Sequence, residues 1–198
     1  MGRPRQFDED QAVEAACRVF WIKGYEATST GDLCTATGLG RSSIYNTFKS
    51  KKDLFLRALS YYVDTMTARQ VSLLAEEGRP AAERVRALFS VIIEGEMENR
   101  REGYGSGCFT VNTTTQMAAS DPQIAEVLNR DLERRMVSLR AVIAEGKQDG
   151  SVTSPRATDG LAWYLTALIA GMRVAAQSGA DRSALEQIAA SGADTLGC

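Results

Sequence analysis

The 198-residue chain contains no histidine. That absence excludes Ser–His and Cys–His nucleophile pairs, imidazole general bases and every imidazole metal site. Cysteine is sparse: Cys17, Cys34, Cys108 and Cys198 form no C-x-x-C pair. This fits neither a zinc pattern nor a disulfide-dense secreted scaffold. No metal or cofactor is expected, and the expected compartment is a reducing cytoplasm. Long apolar runs are missing too. Gly160–Met172 has 13 residues, short of the roughly 20 that span a membrane, so it reads as a buried helix and no membrane partner is expected. Met1–Asp10 is charged and polar, without the apolar core of a signal peptide. No strand alternation between hairpin turns and no internal repeat stands out.

The remaining composition is ordinary for a globular chain, with 44% apolar and 24% charged residues. The formal net charge is −2, so a nucleic-acid role would need a local patch. Such a patch exists. Residues 1–52 hold 8 Lys and Arg against 6 acids, whereas residues 53–198 hold 15 against 19. A basic front on an acidic body points to a polyanion met by the N-terminal segment alone.

Helical signals run throughout. Asp8 caps a first helix to about Lys23, whose Val13, Ala16, Cys17, Phe20 and Trp21 make one apolar stripe. Ser29 and Asp32 form a capping box before a short second helix, and Gly38-Leu39-Gly40 breaks the chain before Arg41–Phe48. That is a helix-turn-helix. Further starts lie at Ser50 with Asp53, at Pro80, at about Cys108, at Asp121-Pro122, at Ser154-Pro155 and at Asp181. The expected fold is all-α, with about nine helices. A three-helix head over 1–50 precedes a larger ligand-binding and dimerisation body over 51–198.

A helix entering a major groove about 12 Å wide needs a small or polar outer face. Arg41, Ser42, Ser43, Tyr45, Asn46 and Lys49 provide one, with Leu39, Ile44 and Phe48 turned inward. Arg41 suits guanine and Asn46 adenine. Tyr45 suits a phosphate, a sugar or a thymine methyl. Thr30 at a helix start, with Lys51 and Lys52 at the next, suits phosphate. Arg3 and Arg5 suit a minor groove.

These residues carry a family resemblance. Thr30 opens the second helix, Ala36 precedes the Gly38 turn, and Tyr45-x-x-Phe48 is followed by Lys49 and Leu54. Phe20, Gly24 and Thr28 stand before them. Residues 7–55 resemble the head of the TetR (tetracycline repressor) family. The resemblance implies a helical homodimer that represses transcription from double-stranded operator DNA and is released by a small ligand. It assigns DNA contacts to Thr30, Arg41, Ser42, Ser43, Tyr45, Asn46, Lys49 and Lys51. It also implies a four-helix dimer bundle from about 155–178 and 181–196. With no histidine, the magnesium-assisted ligand mode of the founding member is not supported.

For that seam the expected residues are Leu161, Leu165, Leu168, Ile169 and Met172, joined by Leu185 and Ile188. Gly160, Ala162, Ala167, Ala170 and Gly171 allow close approach. For an apolar or aromatic effector the candidate lining is Tyr62, Met66, Phe89, Ile93, Met97 and Phe109, followed by Asn112, Met117, Leu139, Trp163 and Tyr164. Each also fits plain core packing. Cys108, at a helix start, is either a redox or electrophile sensor or a packed small thiol. Arg100-Arg101 and Arg134-Arg135 read as solvated or interface charges. The alternatives to a repressor are an activator or accessory DNA-binding protein, and a helical carrier or enzyme with a vestigial head. No nucleophile–base pair, metal cluster or phosphate loop supports the last, so no enzyme is expected.

Overall fold

The computed structural model describes residues 8–103 and 107–197. Among them it is all-helical: α1 (Glu9–Lys23), α2 (Thr30–Thr37), α3 (Arg41–Phe48), α4 (Lys51–Leu74), α5 (Ala81–Glu102), α6 (Phe109–Met117), α7 (Pro122–Asp149), α8 (Thr158–Gln177) and α9 (Arg182–Leu196). No helix of the described residues is long and apolar enough to cross a membrane. Arg3, Arg5 and Cys198 lie outside the described residues.

Local chemistry sets the head. The Asp8 carboxylate accepts from the Asp10 amide and starts α1. The Ser29–Asp32 capping box forms in full and starts α2, each such cap contributing about 1 kcal/mol. Gly38 ends α2 at φ 69°, a left-handed conformation that favours glycine. Leu33, Ile44 and Phe48 close the inside of the helix-turn-helix.

Two cores follow, and they do not divide at residue 50. The first joins α1–α4 to the body through Cys108, Phe109, Ile124 and Leu128. Edge-to-face aromatic pairs run through it. Phe55 meets Phe20 at 5.0 Å and Phe109 at 5.6 Å, and Phe109 meets Tyr62 at 5.5 Å. The second core holds the inner faces of α5, α7, α8 and α9 around Phe89, Leu139, Ile143, Leu165 and Leu185. Gly192 lets α9 come close, since a Cβ there would stand 2.2 Å from Leu168.

One helix start differs from expectation. Pro155 does not open α8, which begins at Thr158. The Ser154 amide donates to the Leu196 carbonyl at 3.0 Å. Lys147 donates to the carbonyls of Ser154 at 3.0 Å and Arg156 at 2.6 Å. These bonds commit the segment to bridging α7 and the end of α9, so the helix waits three residues.

Candidate DNA-binding face and ligand cavity

On α3, Arg41, Ser42, Tyr45 and Asn46 are exposed and Ser43 is half-buried, while Ile44, Thr47 and Phe48 are buried; Lys49, just past the end of α3, is exposed. The Tyr45 and Thr30 hydroxyls are hydrogen-bonded at 2.9 Å, which ties α3 to the start of α2. Lys49 ends α3 with φ 53° and ψ −45°. The Ser50 amide donates back to the Phe48 carbonyl across it. That is a γ-turn of the rare, strained kind. It turns the chain from α3 into α4 within two residues.

The neighbouring cations are less free than a sequence suggests. The Lys51 ammonium donates to the carbonyls of Tyr25 at 2.9 Å and Thr28 at 3.0 Å, and sits 4.4 Å from the Tyr25 ring centre. Two of its three protons hold the turn before α2. Lys52 pairs with Asp121 at 2.6 Å, joining α4 to the cap of α7. Lys23 pairs with Asp32 at 2.5 Å, and that contact leads the hydrogen bonds that hold Asp32 well below the usual carboxylate range.

In the body, α4, α6, α7 and α8 enclose a cavity of about 350 Å³, at the low end of the roughly 300–1,000 Å³ of ligand sites. Of the expected lining, Tyr62, Met66 and Trp163 face it. Phe109, Asn112 and Met117 instead face a second crevice of about 380 Å³ between α6 and the end of α1. Phe89, Ile93 and Leu139 are buried in the body core, with Met97 and Tyr164 packed on it. So α6 has two working sides. Thr110, Val111 and Thr114 line the cavity, and Phe109 and Gln116 lie toward the head.

Sequence reasoning missed the cavity's charged groups. Asp131 is buried, takes a hydrogen bond from Thr67 and pairs with Arg135 at 2.9 Å. Arg135 is therefore not a solvated charge, whereas Arg134 is exposed and pairs with Asp64 at 2.6 Å. Arg173 pairs with Glu96 at 3.2 Å from within the protein. Burial pushes the Glu96 carboxyl above its usual range, against the pull of Arg173 and Arg100. Arg100 caps the end of α8 by donating to the carbonyls of Ala176 at 2.7 Å and Ala180 at 2.8 Å. The missed signal was register: Asp131 and Arg135 continue the apolar stripe Ile124, Leu128, Leu139 of α7.

The Tyr62 hydroxyl donates to Cys108 Sγ at 3.5 Å on the cavity wall. Cys17 is buried, and burial first, with Glu14 second, pushes its thiol up to about 12. Cys34 is half-buried.

Of the seven residues expected at a dimer seam, Leu161, Leu165, Ile169, Met172 and Leu185 are buried in the protomer's own core, and Leu168 and Ile188 are half-buried against it. The outward side of α8 carries Gly160, Trp163, Ala167, Gly171 and Val174 instead, with Trp163 50% and Val174 47% exposed.

The profile of "Bacterial regulatory proteins, tetR family" matches residues 12–58, and that of "Tetracyclin repressor-like, C-terminal domain" matches residues 81–191. The chain is 30% identical over 188 residues to the HTH-type transcriptional repressor ComR of Escherichia coli, covering 95% of this chain and 88% of that one. It is 26% identical to the repressor DhaR of a Mycobacterium species, over 88% of this chain and 85% of that one. A cysteine-substituted CifR solved with a 26-base-pair operator duplex superposes with a TM-score of 0.83, at 24% identity and 97% and 98% coverage. Reduced E. coli NemR gives 0.80 at 17% identity, with 94% and 95% coverage. The chain belongs to the tetR family of bacterial regulatory proteins and is a DNA-binding transcriptional regulator.

Proposed function

We propose that the chain is a repressor. Two copies hold a palindromic operator through their α3 helices and release it when a small apolar or aromatic effector fills the body cavity. The observation that carries this is the outward row Arg41, Ser42, Tyr45 and Asn46 on a helix whose other side is buried, with Lys49 exposed just past its end. A row that is polar or cationic, narrow and held rigid by Thr30 and the Lys49 turn suits a major groove.

Pairing is supported by α8. A helix apolar on both sides requires a second cover; on the outer side of α8, Trp163 and Val174 offer apolar surface, and Gly160, Ala167 and Gly171 are small enough for close approach. Coupling is supported by α6, whose two sides touch the cavity and the head. An effector shifts the equilibrium only by its difference in affinity between the two head spacings.

The test is a gel shift with the duplex upstream of the chain's own coding sequence. Tyr45→Ala is expected to weaken binding at least about tenfold, the loss of about 1.4 kcal/mol of contact. Unchanged retardation would remove α3 from the role. A reporter assay with the gene deleted separates repression from activation: transcription of the target should rise.

A second reading rests on Cys108, whose thiol lines the cavity. There it is placed to sense an oxidant or an electrophile. Operator affinity that is unchanged after mild oxidant, in wild type and Cys108→Ser alike, ends that reading.

A further inference from the structure

The polar groups of the cavity are not evenly placed. Arg173, Tyr62 and Cys108 stand together at one end, where Tyr62 and Cys108 are both 5% exposed. Thr67, Asp131, Arg135 and Trp163 stand toward the other, where half of the Trp163 surface is open. Tyr62 and Thr67 are five residues apart on α4, so the two ends are separated by about 7.5 Å of helix rise. Met66, Val111, Leu128 and Ile169 line the cavity as well.

The two arginines differ in how they are neutralised. Asp131 lies in the cavity wall beside Arg135, with one oxygen held by Thr67 and the other by Arg135. Glu96, the partner of Arg173, is not part of the cavity wall. Its carboxylate binds the guanidinium from behind, and Arg173 and Tyr62 are left lining the closed end. A guanidinium has five donors in a planar fork that matches a carboxylate, and such charge-assisted bonds are strongest where water is excluded.

Resting on the reading of this cavity as the effector site, we propose that the effector is a small organic acid. Its carboxylate is held at the closed end by Arg173 and by the Tyr62 hydroxyl, whose one proton turns from Cys108 Sγ to the carboxylate, and its apolar or aromatic body lies toward Trp163.

The probes are 3-phenylpropanoate and the matching alcohol, 3-phenylpropan-1-ol, titrated at neutral pH against the full chain. The readouts are tryptophan fluorescence and thermal midpoint. The acid is expected to bind at least about tenfold more tightly, as one charge-assisted hydrogen bond implies. Trp163→Phe should reduce the fluorescence response to that of Trp21, whose ring meets Tyr62 edge-on at 5.2 Å. Tyr62→Phe and Arg173→Lys should each bring acid and alcohol closer together, with helical circular dichroism unchanged. Tyr62→Phe keeps the ring and so guards against misfolding of the arginine variant. Equal affinity for acid and alcohol would overturn the carboxylate anchor and leave the effector site standing. No response to either probe, in fluorescence or in midpoint, would overturn both.

Discussion

The α3 face and the body cavity solve opposite problems. On α3 the functional side chains point outward and the buried ones only hold the helix in place. In the cavity the functional side chains point inward and share their stripes with the core. The first arrangement separates function from packing; the second merges them. Tyr62, which belongs to the first core and also lines the cavity, shows the merger most plainly.

The joint between the two regions is where a single substitution should do most damage. Phe55→Ala removes a fully buried ring that touches both Phe20 and Phe109. A loss of about 3–5 kcal/mol is expected, read as a large fall in the chemical-denaturation midpoint. DNA binding and ligand binding should fail together. Survival of either function would show the two regions to be independent.

Lys51→Ala comes next. The side chain holds the Tyr25 and Thr28 carbonyls, so the substitution should destabilise the head by about 1–3 kcal/mol. It should also weaken DNA binding across all sequences. Lys49→Ala, at an exposed residue of the α3 face, should leave stability within about 0.5 kcal/mol. It should lower the log–log salt slope by about 1 if Lys49 meets a phosphate. A stability loss for Lys49→Ala as large as that for Lys51→Ala would erase the distinction between a contacting and a holding lysine.

The smallest effect concerns pH. Lys23 and Ser29 hold the Asp32 carboxyl below its usual range. A depressed carboxyl contributes stability that is present above its unfolded value, near 4, and is lost as pH falls through the lower folded value. Asp32→Asn should therefore lower the thermal midpoint at neutral pH and flatten the acid limb, so that the variant and wild-type curves converge as pH falls below about 4.

This contrast also explains what the sequence made legible. The helix-turn-helix could be read residue by residue because its signals are local: the Ser29–Asp32 box, the Gly38 turn, and the spacing of Ile44 and Phe48. The body's helices were legible from periodicity, but their inner faces were not sorted. Tyr62 and Phe89 look alike in a pattern, yet one faces a cavity and the other is core. Likewise α8 is apolar on every side, so its pattern could not say whether Leu165 or Trp163 faced out. Arg173 and Asp131 could not be singled out, because their partners, Glu96 and Thr67, come from other helices. The start of α8 was missed because Leu196, distant in sequence, and Lys147 on the preceding helix hold the residues either side of Pro155.

The most direct test of the central claim is to select a duplex from a random library with the full chain and compare it with the Tyr45→Ala variant in the same gel shift. A palindrome is expected whose half-sites lie about 34–36 Å apart, or a multiple of that, bound tightly by the wild type and weakly by the variant. Enrichment of no duplex at low salt, or equal binding by the two chains, would contradict it.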